Sequence, residues 1–204
     1  MADALITLFA FAVGSIPFGL IVGRLFFSTD IRAQGSGNIG AMNALRSLGT
    51  RGAIAVLLLD VAKGALPVLL AARLGRGDAV QAIAALAAVL GHCFSPWLGF
   101  NGGKGVATML GATLALSPAA VAVAVAGWLL GALVLTPYSS VGSMLAGVLI
   151  VPSLWFFTRS SWETLYGAAV ALLIIYRHGE NIERLRAGNE NPIPFLKGRG
   201  APKQ

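Results

Sequence analysis

Charge is scarce in this chain, cysteine occurs once and histidine twice. Asp, Glu, Lys and Arg make up 11% of the 204 residues, where a soluble domain carries about 25%. With 56% hydrophobic residues and a mean hydropathy of +0.78, a soluble fold is excluded before any segment is read. The single cysteine, Cys93, rules out an internal disulfide and a multi-cysteine metal site, and reads as a small buried hydrophobe. Acidic residues number 8 against 15 basic, a net charge of +7. That balance would suit nucleic acid, but the basic residues sit at the ends of apolar runs, which is the pattern of membrane topology. The first 23 residues lack a basic start, Asp3 being the only early charge, and no small-residue cleavage site leads into a polar domain. They read as a membrane helix, not a signal peptide.

What is there is long apolar sequence. A membrane-crossing helix needs about 20 mostly apolar residues, and the pattern predicts such runs at about 3–23, 52–72, 79–99, 139–157 and 162–177. The stretch 106–135 is too long for one helix. Ser117-Pro118 falls near its middle, and proline suits a first helical turn while breaking an interior. It therefore divides into a short helix, 106–116, and a full one, 118–135. The expectation is an all-α, polytopic transmembrane bundle of about seven spans in one domain, residues 1–204.

Sidedness follows from Lys and Arg. One side collects Arg24, Arg32, Arg46, Arg51, Lys104, Arg177, Arg184, Arg186, Lys197, Arg199 and Lys203; the other holds Arg73, Arg76 and Arg159, with Lys63 inside a span. The rule puts the richer side, and the C-terminus, in the cytoplasm and the N-terminus outside. A path without the 106–135 pair keeps the same sidedness. Every loop rich in Gly, Asn, Ser, His and Arg then shares the cytoplasmic face.

Three such segments carry chemistry. Gly35-Ser36-Gly37-Asn38-Ile39-Gly40-Ala41-Met42-Asn43-Ala44-Leu45-Arg46 combines backbone freedom with an arginine fork suited to phosphate oxygens; the plainer reading is a loop with a topology-setting arginine. Gly91-His92-Cys93-Phe94-Ser95-Pro96 leads to Phe100-Asn101-Gly102-Gly103-Lys104-Gly105, which opens the short helix at 106, and a helix N-terminus is a natural anion seat. The Walker spacing is absent, which disfavours nucleotide hydrolysis. The third segment runs from Arg177-His178 to Glu190. Within it His178 and Asn181 share a helix face, while Glu183, Arg184 and Arg186 read as an interfacial anchor. Ser139, Ser140 and Ser143 start a helix on the same side. Asp60 and Lys63, three apart inside a span, read as a mutual ion pair fixing helix packing rather than as catalytic groups.

Taken in order, Ser15-Ile16-Pro17-Phe18-Gly19, GSGNIGAMNALR, Asp60 with Lys63-Gly64, GHCFSPWLGFNGGKGVAT and the closing His178-x-x-Asn181-Ile182 string to Glu190 resemble the bacterial acyl-phosphate:glycerol-3-phosphate acyltransferases of the PlsY type, over about residues 14 to 190. Met42, Asn101 and Gly179 depart from the family's pattern. The resemblance implies transfer of a fatty acyl group from acyl phosphate to the 1-hydroxyl of sn-glycerol 3-phosphate. Lysophosphatidic acid and phosphate would be released in phospholipid synthesis, with no cofactor and no metal, at the cytoplasmic face of the bacterial inner membrane. Partners would be those two substrates and membrane lipid, not nucleic acid.

On that reading Ser36, Gly37, Asn38, Asn43 and Arg46, with Gly102, Gly103, Lys104 and Gly105, hold the phosphates. His178 faces the same site. Attack on the acyl carbonyl builds an oxyanion, for which Ser143, Asn181 and backbone N–H groups are candidates. His92 is the side-chain choice for base; the departing phosphate could take the proton instead. A transporter of an anionic phosphorylated solute is the alternative, favoured by the intramembrane charges and the half-length helix. One-sided clustering of polar groups speaks against it, as it does against a purely structural membrane subunit.

Overall fold

A computed structural model describes residues 1–196 and Gly198. Lys197, Arg199 and Lys203, counted above for sidedness, lie outside the described residues. The described residues form helices and no strand. In chain order the helices are α1 (Ala2–Gly14), α2 (Phe18–Phe27), α3 (Ala41–Ser47), α4 (Gly49–Arg73), α5 (Asp78–Cys93), α6 (Val106–Leu116), α7 (Pro118–Leu129), α8 (Ser139–Thr158), α9 (Ser161–Arg177) and α10 (Gly179–Arg186).

The run expected as one helix over 3–23 is broken. α1 stops at Gly14 and α2 starts at Phe18, with a bend of 40° between them. Pro17 supplies no N–H, and its ring pushes Ile16 out of the helical region. Downstream, Ser117 caps α7 by accepting the Ala120 N–H at 3.3 Å, with Pro118 at its first position. The short helix therefore has the bounds expected of it. α7 continues into a π-helical stretch, Leu130–Leu135. α9 is capped by the Ser160 hydroxyl, which accepts from the Glu163 N–H at 3.4 Å.

Four stretches, Gly49–Arg73, Asp78–Leu98, Pro118–Leu135 and Ser139–Thr158, are each long and apolar enough to cross a membrane, and the bent α1–α2 pair makes a fifth. α6, with 11 residues, rises about 16 Å, roughly half the ~30 Å hydrocarbon core. Large apolar side chains such as Leu58, Leu66, Phe156, Trp162, Leu165 and Leu172 point outward and are exposed. That belt would be an aggregation surface in water and suits lipid.

Inside, small residues set the packing. α4 and α6 cross so closely that a Cβ on Gly64 would collide with the Thr108 carbonyl, and one on Gly111 with the Val61 carbonyl. Such contacts replace the hydrophobic drive that lipid does not provide. The largest apolar cluster joins Val68, Val89, Cys93, Met109, Ile150, Leu154, Val170 and Ile174 across α4, α5, α6, α8 and α9. Cys93 is buried and free. Within it, the Tyr166 hydroxyl meets Thr113 Oγ1 at 3.1 Å, so both buried hydroxyls are satisfied.

Asp60 and Lys63 pair as expected: Nζ lies 2.7 Å from Oδ1 and both side chains are 1% exposed. Lys63 Nζ also donates to the Ile16 carbonyl at 2.8 Å. The lysine thus ties α4 to the carbonyl that the α1–α2 break leaves without a helical donor.

Candidate active site

A cavity of about 640 Å³ opens where the three polar segments meet. Its polar end is lined by Ser36, Asn38, Asn43, Arg46, His92, Lys104, Gly105, Ser140, Ser143, His178, Asn181, Arg184 and Glu190. Its other wall is apolar and comes from Ala53, Ile54 and Leu57 of α4, Val106, Ala107 and Leu110 of α6, and Val125 and Trp128 of α7. Ile54, Leu57 and Val125 of this wall are exposed.

The first loop is built around Asn43, 1% exposed. Its Nδ2 donates to the carbonyls of Ile31 at 2.8 Å, Gln34 at 3.1 Å and Asn38 at 2.8 Å, and its Oδ1 accepts the Ser36 N–H at 2.8 Å. The amide's hydrogen-bonding capacity is therefore spent on shaping the loop, and Ser36 is what the loop presents. Asn38 Oδ1 accepts the Gly40 N–H at 2.9 Å, which prepares the start of α3. Arg46, on the last turn of α3, donates to the carbonyls of Asn191 at 3.3 Å and Pro192 at 3.4 Å. Burial first, and then the Arg184 charge, lower its guanidinium pKa against the opposing pull of Glu190; at neutral pH it stays cationic.

The glycine-rich loop differs from expectation. The Gly102 N–H donates to the Cys93 carbonyl and the Gly103 N–H to the His92 carbonyl, each at 3.0 Å. Neither glycine lines the cavity, and Gly37 does not either, its N–H being donated to the Gln34 carbonyl at 3.0 Å. The N–H groups of these three therefore serve the loops' own backbone. Lys104 and Gly105 do face the cavity. Gly105 sits at φ +83°, in the left-handed region that favours glycine, and its carbonyl accepts the first α6 bond from Met109 at 2.7 Å. The first-turn N–H groups of α6 precede that bond and have no partner within the helix.

Lys104 Nζ donates to Asn181 Oδ1. Asn181 Nδ2 in turn donates to Glu190 Oε1 at 2.6 Å, and Ser140 Oγ to the same oxygen at 3.2 Å. Arg184 Nε donates to Glu190 Oε2 at 2.9 Å. Burial, followed by the Arg184 charge, pushes the Lys104 ammonium down to about 8, although Glu190 and Glu180 pull the other way. Asn181 therefore turns its carbonyl oxygen to the lysine and its N–H group to a carboxylate, so its amide is engaged by the protein rather than aimed at a developing oxyanion.

The two histidines differ. His92 is 3% exposed, with Nδ1 3.7 Å from Asp60 Oδ1, and a Cβ on Gly103 would collide with its Nε2. The ring is wedged between an intramembrane carboxylate and a backbone. His178 lies just past α9; its Nδ1 donates to the Ile174 carbonyl at 2.8 Å, which leaves Nε2 with the lone pair. Burial, then Lys104's charge, lower His178 to about 4, so it is neutral at pH 7.

Three contributors escaped the sequence reading. Arg184 was assigned to an interfacial anchor but lines the cavity. Glu190 reaches the site because Gly188, at φ +71°, reverses the chain after α10; Gly188-Asn189 behind a helix was the signal. Arg177 heads the third segment and counts for sidedness, with no site role expected of it, yet it binds the glycine loop. The segment that follows Glu190 is anchored by Ile193, fully buried, whose N–H donates to the Pro137 carbonyl at 2.9 Å.

A sequence model described as glycerol-3-phosphate acyltransferase matches residues 4–188. The chain belongs to the glycerol-3-phosphate acyltransferase family. Relatives carrying that name include one from Geobacter sulfurreducens, 44% identical over 93% of this chain and 96% of its own. Another, from Zymomonas mobilis, is 43% identical over 95% and 96% respectively. Among solved structures, the crystal structure of PlsY, an integral membrane glycerol 3-phosphate acyltransferase, in its glycerol 3-phosphate form superposes with a TM-score of 0.89 at 36% identity. That match covers 97% of this chain and 98% of the other. The lysophosphatidic acid form gives 0.86 over 94% and 95%. Like that acyltransferase, this chain is an integral membrane protein, and the family places it in phospholipid synthesis.

Proposed function

We propose that this protein transfers a fatty acyl group from acyl phosphate to the 1-hydroxyl of sn-glycerol 3-phosphate, releasing lysophosphatidic acid and phosphate. The observation that carries this reading is one cavity with a cationic end and an apolar wall. Both substrates carry phosphate, and one carries a long chain. A similar acyltransferase is known in glycerol 3-phosphate and lysophosphatidic acid forms, which supports the choice of acceptor and product.

In this reading Arg46, Lys104 and the Ser36 hydroxyl hold the phosphates, and the chain lies along Ile54, Leu57, Leu110 and Trp128. Ser143 and the first-turn N–H groups of α6 face the acyl carbonyl and stabilise its oxyanion. The hydroxyl proton passes to the departing phosphate: His92 borders the cavity but is only 3% exposed, its ring set against Asp60 and Gly103, and His178 is too weakly basic to compete near neutral pH. His178 Nε2 accepts a hydrogen bond from substrate and helps orient it, and the protein's contribution is chiefly positioning. The single domain crosses the inner membrane about seven times, N-terminus outside, with the cavity on the cytoplasmic side; the distribution of Lys and Arg supports that orientation. The purified protein given radiolabelled glycerol 3-phosphate and palmitoyl phosphate should form labelled lysophosphatidic acid. Uptake of the label into proteoliposomes without any acylation would overturn the proposal in favour of transport.

A further inference from the structure

We infer that Arg177 is a positioning residue of the phosphate end: from outside the cavity its guanidinium clamps the carbonyls of Gly102 and Gly103, and so fixes where Lys104 points. Arg177 Nε donates to the Gly103 carbonyl at 3.1 Å, and Nη2 to the Gly102 carbonyl at 2.7 Å, with Asn101 Oδ1 at 3.5 Å. The guanidinium also lies 5.7 Å from the centre of the Phe94 ring, within cation–π range. The N–H groups of the same two glycines run the other way, to the carbonyls of Cys93 and His92 at the end of α5.

All four backbone polar groups of Gly102 and Gly103 are thereby engaged, two inward by α5 and two outward by the last residue of α9. The peptide is a sandwich. On its inner side a Cβ at Gly103 would strike the His92 ring; on its outer side stands the arginine. Glycine is needed at 103 because the chain runs hard against the His92 ring. Lys104 follows directly, so its Cα is placed by this clamp, while Arg177 itself does not line the cavity. A planar fork suits two adjacent carbonyls; an ammonium has the charge but not the geometry.

The kinetic part of the test rests on the reading of Lys104 as a phosphate ligand. Arg177→Met and Arg177→Lys are compared with wild type in the full chain. With Arg177→Met, KM for glycerol 3-phosphate should rise about tenfold, kcat should fall less than that, and KM for palmitoyl phosphate should move least. Amide hydrogen exchange of residues 102–105 should accelerate while that of α4 and α8 stays unchanged. Arg177→Lys should recover only part of both effects. Wild-type KM and wild-type loop exchange in Arg177→Met would overturn the inference, as would full recovery by Arg177→Lys, which would leave charge alone as the cause. Failure of both variants to fold, or faster exchange in every helix, would overturn it too, making Arg177 a general fold contact. Absence of acyl transfer in the wild type would remove the proposed function, and the exchange measurement would still decide the clamp.

Discussion

Lys104 offers the sharpest check on the phosphate site, because burial brings its ammonium to about 8, within a workable pH range. The groups that face it are Glu190 and Glu180, which favour the charge, Arg184 and Arg46, which oppose it, and the neutral His178. A group of pKa about 8 is about 90% protonated at pH 7 and about 10% at pH 9. If phosphate binding requires the ammonium, kcat/KM for glycerol 3-phosphate should fall about tenfold between pH 7 and 9. The phosphate is a dianion over that range, its second pKa being near 6. Arg46 cannot generate the limb, since a guanidinium does not deprotonate there, and His178 at about 4 titrates on the wrong side. Bound phosphate favours the charged lysine, so the corresponding limb in kcat should lie at higher pH. Lys104→Arg should lower the absolute rate through altered geometry but abolish the alkaline limb. The assay is initial-rate kinetics at saturating palmitoyl phosphate, corrected for its spontaneous hydrolysis. A flat wild-type profile to pH 9.5, or an unchanged limb in Lys104→Arg, would refute the assignment.

Two further outcomes are expected. Lys63→Met leaves the Asp60 carboxylate without its partner and the Ile16 carbonyl with only the Phe18 N–H as donor; removing one half of a buried pair costs about 3–5 kcal/mol. At ~2–4 °C per kcal/mol for a chain of this size, the thermal transition in detergent should drop by about 10 °C. The double variant Asp60→Asn/Lys63→Met should regain much of that loss, and equal melting of single and double would contradict the pairing argument. Asn43→Ala removes four hydrogen bonds from the loop that presents Ser36, worth about 1 kcal/mol each. KM for glycerol 3-phosphate should rise more than tenfold with helical circular dichroism intact; an unchanged KM would show that the loop holds its shape without Asn43.

How far the sequence carries the structure depends on the kind of signal. Helix bounds at α6 and α7 were legible because Ser117-Pro118 is both a stop and a cap. The break between α1 and α2 was not, because Pro17 sits inside an unbroken apolar run and hydropathy averages over it. The Asp60–Lys63 pair could be read from one turn of spacing inside lipid. Ser36, Arg46, Lys104, Ser143, His178 and Asn181 converge on the cavity as their side chemistry suggested. Glycine marks close approach but not its object: Gly105 faces the cavity, while at Gly102 and Gly103 the near neighbours are the end of α5, the His92 ring and Arg177. Contacts such as Arg46 with Asn191, or Glu190 with Ser140, join segments far apart in the chain, and nothing local announces them.

The turn at Gly188 has a consequence for how the enzyme comes into being. Arg46 is synthesised early, before most of the spanning helices, yet its protein partners are the carbonyls of Asn191 and Pro192, made after the last of them. A nascent chain can therefore insert every membrane helix and still have an unroofed cationic pocket. Docking of Ile193 against Pro137 is the step that closes it. A chain interrupted just after α10 would carry all of these helices and still lack the Asn191 and Pro192 carbonyls that Arg46 meets, so completing the helices and completing this contact are separable steps.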